Sequence, residues 1–126
     1  MLARTHPSDA YRQSAFDARL MGSRSGDLVI FCLEDFVENL GALELAQKRG
    51  DPAARSKALT RCVTALTALE LGIDREADLA DSLLQFYGSA KADLLDSIRQ
   101  TDMAKVAQLR ADFSEIIKAF KTARAY

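Results

Sequence analysis

The stretch SGDLVIFCLEDFVENL, Ser25 to Leu40, decides the fold of this chain. It contains an unbroken apolar run, Leu28 to Leu33, whose β-branched Val29 and Ile30 favour a strand. The run continues into acidic residues without a turn signal, and a rotation of 100° per residue places most of its apolar positions on one face. The stretch therefore predicts a helix, running from about Asp27 to Arg49.

Two apolar side chains fall on the wrong side of this predicted helix. The apolar face is made of Val29, Leu33, Phe36, Leu40 and Leu43, with Ile30, Cys32 and Val37 beside it. Leu28 and Phe31 fall nearly opposite, among Glu34, Asp35 and Glu38. A phenylalanine surrounded by acids needs a cover, either the chain's own N-terminal arm or an amphipathic helix of a partner.

Helix-ending and helix-starting residues divide the rest of the chain into three more segments with helical periodicity. These signals are Gly50, Asp51 and Pro52 after the first helix, Gly72 with Asp74 or Asp78 before the third, and Thr101 or Asp102 before the fourth. Short loops between long helices predict an all-α fold, an antiparallel four-helix bundle over residues 26–126. Residues 1–25 are expected to form an N-terminal arm or short helix.

Apolar residues at helical spacing predict the core of this bundle. The third segment repeats Leu79, Leu83, Phe86, Tyr87, Ala90, Leu94 and Ile98, and the fourth repeats Val106, Leu109, Phe113, Ile116, Ile117 and Phe120. The residues expected to fill the core are Leu33, Leu83, Phe86, Tyr87, Phe113, Ile117 and Phe120. Leu84 and Leu95 lie about 100° from the Leu83 line, which makes them candidates for an outer groove.

Composition excludes several classes of partner. The 126 residues hold 17 Lys and Arg against 18 Asp and Glu, so no positive excess favours nucleic acid or anionic lipid. The N-terminus lacks the apolar region of a signal peptide, and no apolar run is long enough to span a membrane. Cys32 and Cys62 lie in apolar helical context, which is typical of reduced core thiols in a cytoplasmic protein.

Enzyme chemistry finds no support in the residue pattern. The only histidine, His6, lies in the arm before Pro7, so it cannot complete a metal-carboxylate bundle or a catalytic triad. The sequence contains no glycine-rich phosphate loop, and its acids are spaced as on solvated helix faces. We therefore predict a binding protein with no catalytic residues, no metal and no cofactor.

The arm and first helix together resemble the flagellin export chaperone (FliS) family. The resemblance rests on Ala10-Tyr11 in the arm, Asp27-Leu28-Val29 at the helix start and Gly50-Asp51 at its end. Leu83, Phe86 and Tyr87 match a later leucine and Leu-Tyr pair, and Asp102 matches an acid before the last helix. The chain departs from the pattern where Ser25 and Gly26 replace a proline and where Phe120 replaces a tryptophan.

The resemblance implies a cytoplasmic chaperone that binds the disordered C-terminal region of flagellin one-to-one and prevents premature polymerisation. It also implies that the arm rearranges to admit the client. Tyr11, Leu28, Phe31, Leu84 and Leu95 are the expected partner contacts. Two alternatives stay open: a chaperone of another flagellar export substrate, such as the filament cap or a hook-associated protein, or a self-associating structural or regulatory bundle. A weak homodimer is also left open.

Overall fold

The computed structural model describes residues 23–124, with side-chain surroundings from residue 26 to residue 123. These residues form four helices: α1 (Ser23–Arg49), α2 (Pro52–Leu71), α3 (Ala80–Asp96) and α4 (Met103–Arg124). The predicted all-α four-helix fold is confirmed. α1 begins before the predicted Asp27, and most of the predicted N-terminal arm lies outside the described residues.

Ion pairs fix the direction of α4 relative to α1. Glu34 Oε2 lies 3.3 Å from Lys121 Nζ, and Glu44 Oε1 lies 3.0 Å from the Nη1 of Arg110. Residue numbers fall along one helix as they rise along the other, so the two helices are antiparallel. α1 packs along α2 and α4, whereas α3 packs along α2 and less closely along α4. α1 and α3 therefore occupy opposite corners of the described bundle.

Asp51 and Asp102 cap the N-termini of α2 and α4, as the sequence predicts. Asp51 accepts a hydrogen bond from the backbone N–H of Ala54 at 3.1 Å, and Pro52 takes the first helical position of α2. Asp102 accepts from the backbone N–H groups of Ala104 and Lys105 at 3.1 and 3.3 Å. Such bonds satisfy amide groups that lack a partner within the helix.

The start of α3 differs from the prediction. Neither Asp74 nor Asp78 caps it, because the helix begins at Ala80 and its N-cap is Leu79, which makes no side-chain cap. Asp74 instead accepts a hydrogen bond from the backbone N–H of Glu76 at 3.0 Å, inside the loop. Leu79 has a left-handed φ of 69°, a conformation that costs a non-glycine residue roughly 1–2 kcal/mol. Its side chain packs against the core, and this burial offsets the strain.

Side chains from all four helices meet in one core. Phe113 of α4 lies at its centre, with ring centroids 4.5 Å from Phe36 and 5.0 Å from Phe86. Among the expected core residues, those that are buried are Leu33, Leu83, Tyr87, Phe113 and Phe120. Phe86 and Ile117 are partly buried and pack against the cluster. None of the described helices is both long and apolar enough to cross a membrane.

Candidate partner-binding surfaces

The outer side of α1 carries two exposed apolar side chains near its start. Leu28 is 61% exposed and Phe31 is 68% exposed, whereas Leu33 and Phe36 on the other side are fully buried. Leu28 and Phe31 are three residues apart, so they are neighbours on the helix surface. α1 therefore has more apolar surface than the described core covers.

Negative charge surrounds this pair. Residues 25–46 of α1 include Asp27, Glu34, Asp35, Glu38 and Glu44 but no lysine or arginine. Cations reach this helix from α4, where Lys121 pairs with Glu34 and Arg110 pairs with Glu44. We call Leu28, Phe31, Glu34, Asp35 and Glu38 the acidic face. Its chemistry suits a segment that carries apolar anchors together with positive charge.

Two thiols, Cys32 of α1 and Cys62 of α2, lie on the core sides of their helices and are not reactive groups. Burial, with a smaller contribution from the negative Asp35, raises the pKa of Cys62 to about 12. The same two causes raise the pKa of Cys32, which is half-buried. The thiolate is the reactive form of cysteine, so both side chains are protonated and inert at neutral pH.

A groove of about 380 Å³ opens between α2 and the end of α3. We call it the α2–α3 groove, and it is lined by Arg55, Ser56, Leu59, Thr60, Val63, Thr64, Leu95 and Ile98. Leu95 is 47% exposed and Ile98 is 58% exposed. A cavity of roughly 150 Å³ already holds a benzene ring, so this groove has room for apolar side chains of a partner.

One threonine hydroxyl that lines this groove is already bonded within α2. Thr64 Oγ1 donates to the carbonyl of Thr60 at 2.9 Å. Because this hydroxyl has a partner in its own helix, an apolar side chain that approaches Thr64 does not leave it unsatisfied.

Arg55 closes one end of the α2–α3 groove. Its Nε donates to Thr101 Oγ1 at 2.7 Å, and its Nη2 donates to the backbone carbonyls of Ser97 and Ile98. These carbonyls belong to Ser97, the C-cap of α3, and to the residue that follows it, and cations are favoured at this end of a helix by its dipole. Arg55 thereby fixes the position of Ile98 at the groove.

A smaller groove, about 190 Å³, lies between α3 and α4 and has a polar rim. Lys105 Nζ lies 3.7 Å from Asp93 Oδ1 across it, and Gln108 donates to Asp112 at 2.9 Å. An apolar segment entering here would separate charges from water or from each other at a cost. The α2–α3 groove is the better apolar site.

The five expected partner contacts do not form one surface. Tyr11 lies outside the described residues. Leu28 and Phe31 lie together on α1. Leu95 lies in the α2–α3 groove. Leu84, on the same helix as Leu95, is half-buried and lies to one side of the core-facing residues of α3. Because α1 and α3 occupy opposite corners, the structure separates the candidates into two surfaces.

Three exposed apolar residues, Leu45, Leu71 and Ile98, were missed by the sequence reasoning. Ile98 was placed on the core line of the third helix, but α3 ends at Asp96 and Ile98 is exposed. Leu71, the last residue of α2, is 79% exposed. Its angular position away from Leu59, Leu66 and Leu69 is visible in the sequence, and that signal could have found it.

Within residues 23–124, no group of three or more His, Cys, Asp or Glu side chains could hold a metal ion. The carboxylates described above lie on exposed faces or in ion pairs between helices. Such groups can recognise charged partners. They are not arranged around a nucleophile or a bound ion.

Comparison with known proteins identifies the family to which the chain belongs. No curated protein matches it. The family model described as "Flagellar protein FliS" matches residues 7–126, which include all four helices and both exposed apolar surfaces. Because this match covers far more than half of the chain, the protein belongs to the FliS family, a family of flagellar export chaperones.

Proposed function

We propose that this protein is a cytoplasmic chaperone that binds the disordered C-terminal region of flagellin one-to-one and keeps it from polymerising before export. The observation that carries the proposal is the exposed pair Leu28 and Phe31 on a helix whose other side already buries Leu33 and Phe36 in the core. The second apolar surface, around Leu95, supports it. Membership of the FliS family supplies the flagellar context.

Binding to a disordered client accounts for both surfaces. A segment that folds on binding loses conformational entropy, so it must bury much apolar area to bind well. Separate apolar surfaces on one bundle offer that area without a single large patch, which would favour aggregation. Leu28 and Phe31 are the contacts on α1, and Leu84 and Leu95 are the contacts on α3. Tyr11 is a further contact from the arm.

Isothermal titration of the full chain with a peptide from the C-terminal region of flagellin of the same genome tests this function. We expect binding at micromolar affinity or tighter, at about one-to-one, with a clearly negative heat-capacity change. The matched control is an N-terminal flagellin peptide of equal length, which should release no heat. Absence of heat with the C-terminal peptide, together with an unchanged melting temperature, would contradict the proposal.

The same titration separates the alternative clients. Terminal peptides of the filament cap and hook-associated proteins are titrated in parallel with the flagellin peptide. Tighter binding of one of these peptides would transfer the chaperone role to that substrate. A protein that binds none of them but doubles its mass in solution would instead be a self-associating bundle.

A further inference from the structure

α3 is the least firmly packed of the four described helices. It is the shortest of them, with 17 residues, and it packs along α2 but only loosely along α4. Open space flanks it on both sides, because the α2–α3 groove measures about 380 Å³ and the groove between α3 and α4 about 190 Å³. A helix with few packed neighbours has a low free energy of local opening.

The other three helices hold one another without α3. The rings of Phe36 on α1 and Phe113 on α4 lie 4.5 Å apart, and Glu44 of α1 pairs with Arg110 of α4 at 3.0 Å. α1 packs most closely along α2. α1 therefore joins α2 and α4 into a unit that does not depend on α3.

The two ends of α3 are fixed to different degrees. At the C-terminal end, Arg55 of α2 donates hydrogen bonds to Thr101 Oγ1 and to the backbone carbonyl of Ser97. At the N-terminal end, the N-cap Leu79 has a left-handed φ of 69° and makes no side-chain cap. A non-helical connection, residues 72–79, joins this end to α2. The N-terminal end is therefore the freer of the two.

We propose that α3 opens from its N-terminal end, with the connection fixed by Arg55 as the hinge, while α1, α2 and α4 stay packed. A single helix of this length is marginal in water, so the opened segment loses its helical hydrogen bonds. Opening uncovers the buried ring of Phe113, on which Phe86 of α3 stacks at a centroid distance of 5.0 Å. The bundle thereby gains apolar surface that the closed form does not offer, whatever its client is.

Amide hydrogen exchange of the full chain, without any partner, tests the proposal. Protection factors of the slowest amides should be at least about tenfold lower in α3 than in α1, α2 and α4. Within α3, the lowest protection should lie at the Ala80 end and not at the Asp96 end. Equal protection in all four helices, or lowest protection at the Asp96 end, would overturn the proposal.

Two glycine variants distinguish opening of α3 from unfolding of the whole bundle. Gly50 lies between α1 and α2 with a φ of +64°, so Gly50→Ala should lower protection in α1 about five- to thirtyfold but far less in α3. Gly88 lies inside α3, so Gly88→Ala should raise protection there about two- to fivefold. An equal loss in α1 and α3 with Gly50→Ala, or unchanged protection of α3 with Gly88→Ala, would overturn the proposal.

Single thiols at buried alanine positions give a second, site-specific readout. In a chain with Cys32→Ala and Cys62→Ala, one further change is made at a time: Ala90→Cys on α3, Ala46→Cys on α1 or Ala119→Cys on α4. Without denaturant, the thiol of Ala90→Cys should react with an aromatic disulfide reagent at least about tenfold faster than the other two. Equal rates at the three positions would show that the bundle opens only as a whole and would overturn the proposal.

Discussion

Arg55 Nε in the first turn of α2 donates a hydrogen bond to Thr101 Oγ1 at 2.7 Å, although 46 residues separate the two in the sequence. The same guanidinium donates to the carbonyls of Ser97 and Ile98, which lie just beyond the last residue of α3. One side chain therefore joins α2 to the connection between α3 and α4. It also holds the end of the α2–α3 groove in place.

Arg55→Ala should lower the free energy of unfolding by about 1–3 kcal/mol, because it removes two partly buried hydrogen bonds from a charged donor, to Thr101 and to the Ser97 carbonyl. Arg55→Lys should recover part of this loss, since an ammonium group keeps the charge but lacks the planar fork. Urea denaturation followed by circular dichroism measures both. Arg61→Ala, at an exposed position of the same helix, is the control and should change stability by less than about 0.5 kcal/mol. Equal losses at both arginines would contradict the role of Arg55.

Phe31→Ser should weaken binding of the flagellin C-terminal peptide by about 1–2 kcal/mol, the scale of an aromatic contact that becomes buried in an interface. Its melting temperature should change little, because the side chain is exposed in the free bundle. Titration calorimetry and thermal unfolding on the same samples separate the two effects. Leu45→Ser, at another exposed position of α1, serves as the control and should bind as the parent does. A Phe31→Ser chain that melts early but binds normally would rule out the contact.

Gly50 and Gly88 should respond to alanine with opposite signs. A Cβ atom at either position would meet nothing within 4 Å, so steric contact does not distinguish them. Gly50 has a φ of +64°, which costs an alanine roughly 1–2 kcal/mol. Gly88 lies inside α3, where alanine should stabilise the helix by about 0.5–1 kcal/mol. Thermal unfolding of the two variants tests this, and stabilisation by Gly50→Ala would contradict the left-handed conformation.

The free energy of unfolding should decrease at high pH. The pKa of Cys62 is raised from 9.0 to about 12 in the fold, so the folded state holds this proton more tightly than the unfolded state. The protonated Cys62 thiol contributes on the order of a few kcal/mol to the free energy of unfolding. This contribution is complete below pH 9 and is lost as the pH rises from 9 to about 12. Burial raises the pKa of Tyr87 well above 10.0 and acts in the same direction.

Urea denaturation between pH 8 and pH 11 measures this slope. Cys62→Ala should be less stable at pH 8, because it loses packing in the core, but its stability should decline less steeply above pH 9. Cys32→Ala is the comparison variant, at a position that is only half-buried. Parallel pH curves for the parent and Cys62→Ala would show that this thiol does not control the alkaline loss.

Local chemistry made much of the fold predictable. The bonds of Asp51 and Asp102 to nearby amide groups, and the left-handed Gly50, depend on residues only a few positions apart, so sequence spacing reveals them. The exposure of Leu28 and Phe31 follows from the helical period alone. A cover for them would have to come from a second molecule or from the arm, and helix geometry carries no information about either.

The errors arose where distant contacts decide local structure. Leu79, the N-cap of α3, combines a left-handed backbone with a side chain that packs on the core, and neither Asp74 nor Asp78 caps the helix. Ile98 keeps the helical spacing of Leu94, but the helix stops before it, and Arg55 from another helix holds the carbonyls there. Neither effect can be read from neighbours in the sequence.

The opposite corners taken by α1 and α3 bear on how a long partner is released. A chain that occupies both the acidic face and the α2–α3 groove must cross α2 or α4, and two local contacts are then joined by a flexible stretch. Each contact raises the effective concentration of the other, so the pair holds more firmly than either contact alone. When one contact detaches, the other alone holds the partner, with a lower affinity than the pair. Such a chaperone can retain its cargo for long periods and still give it up one end at a time.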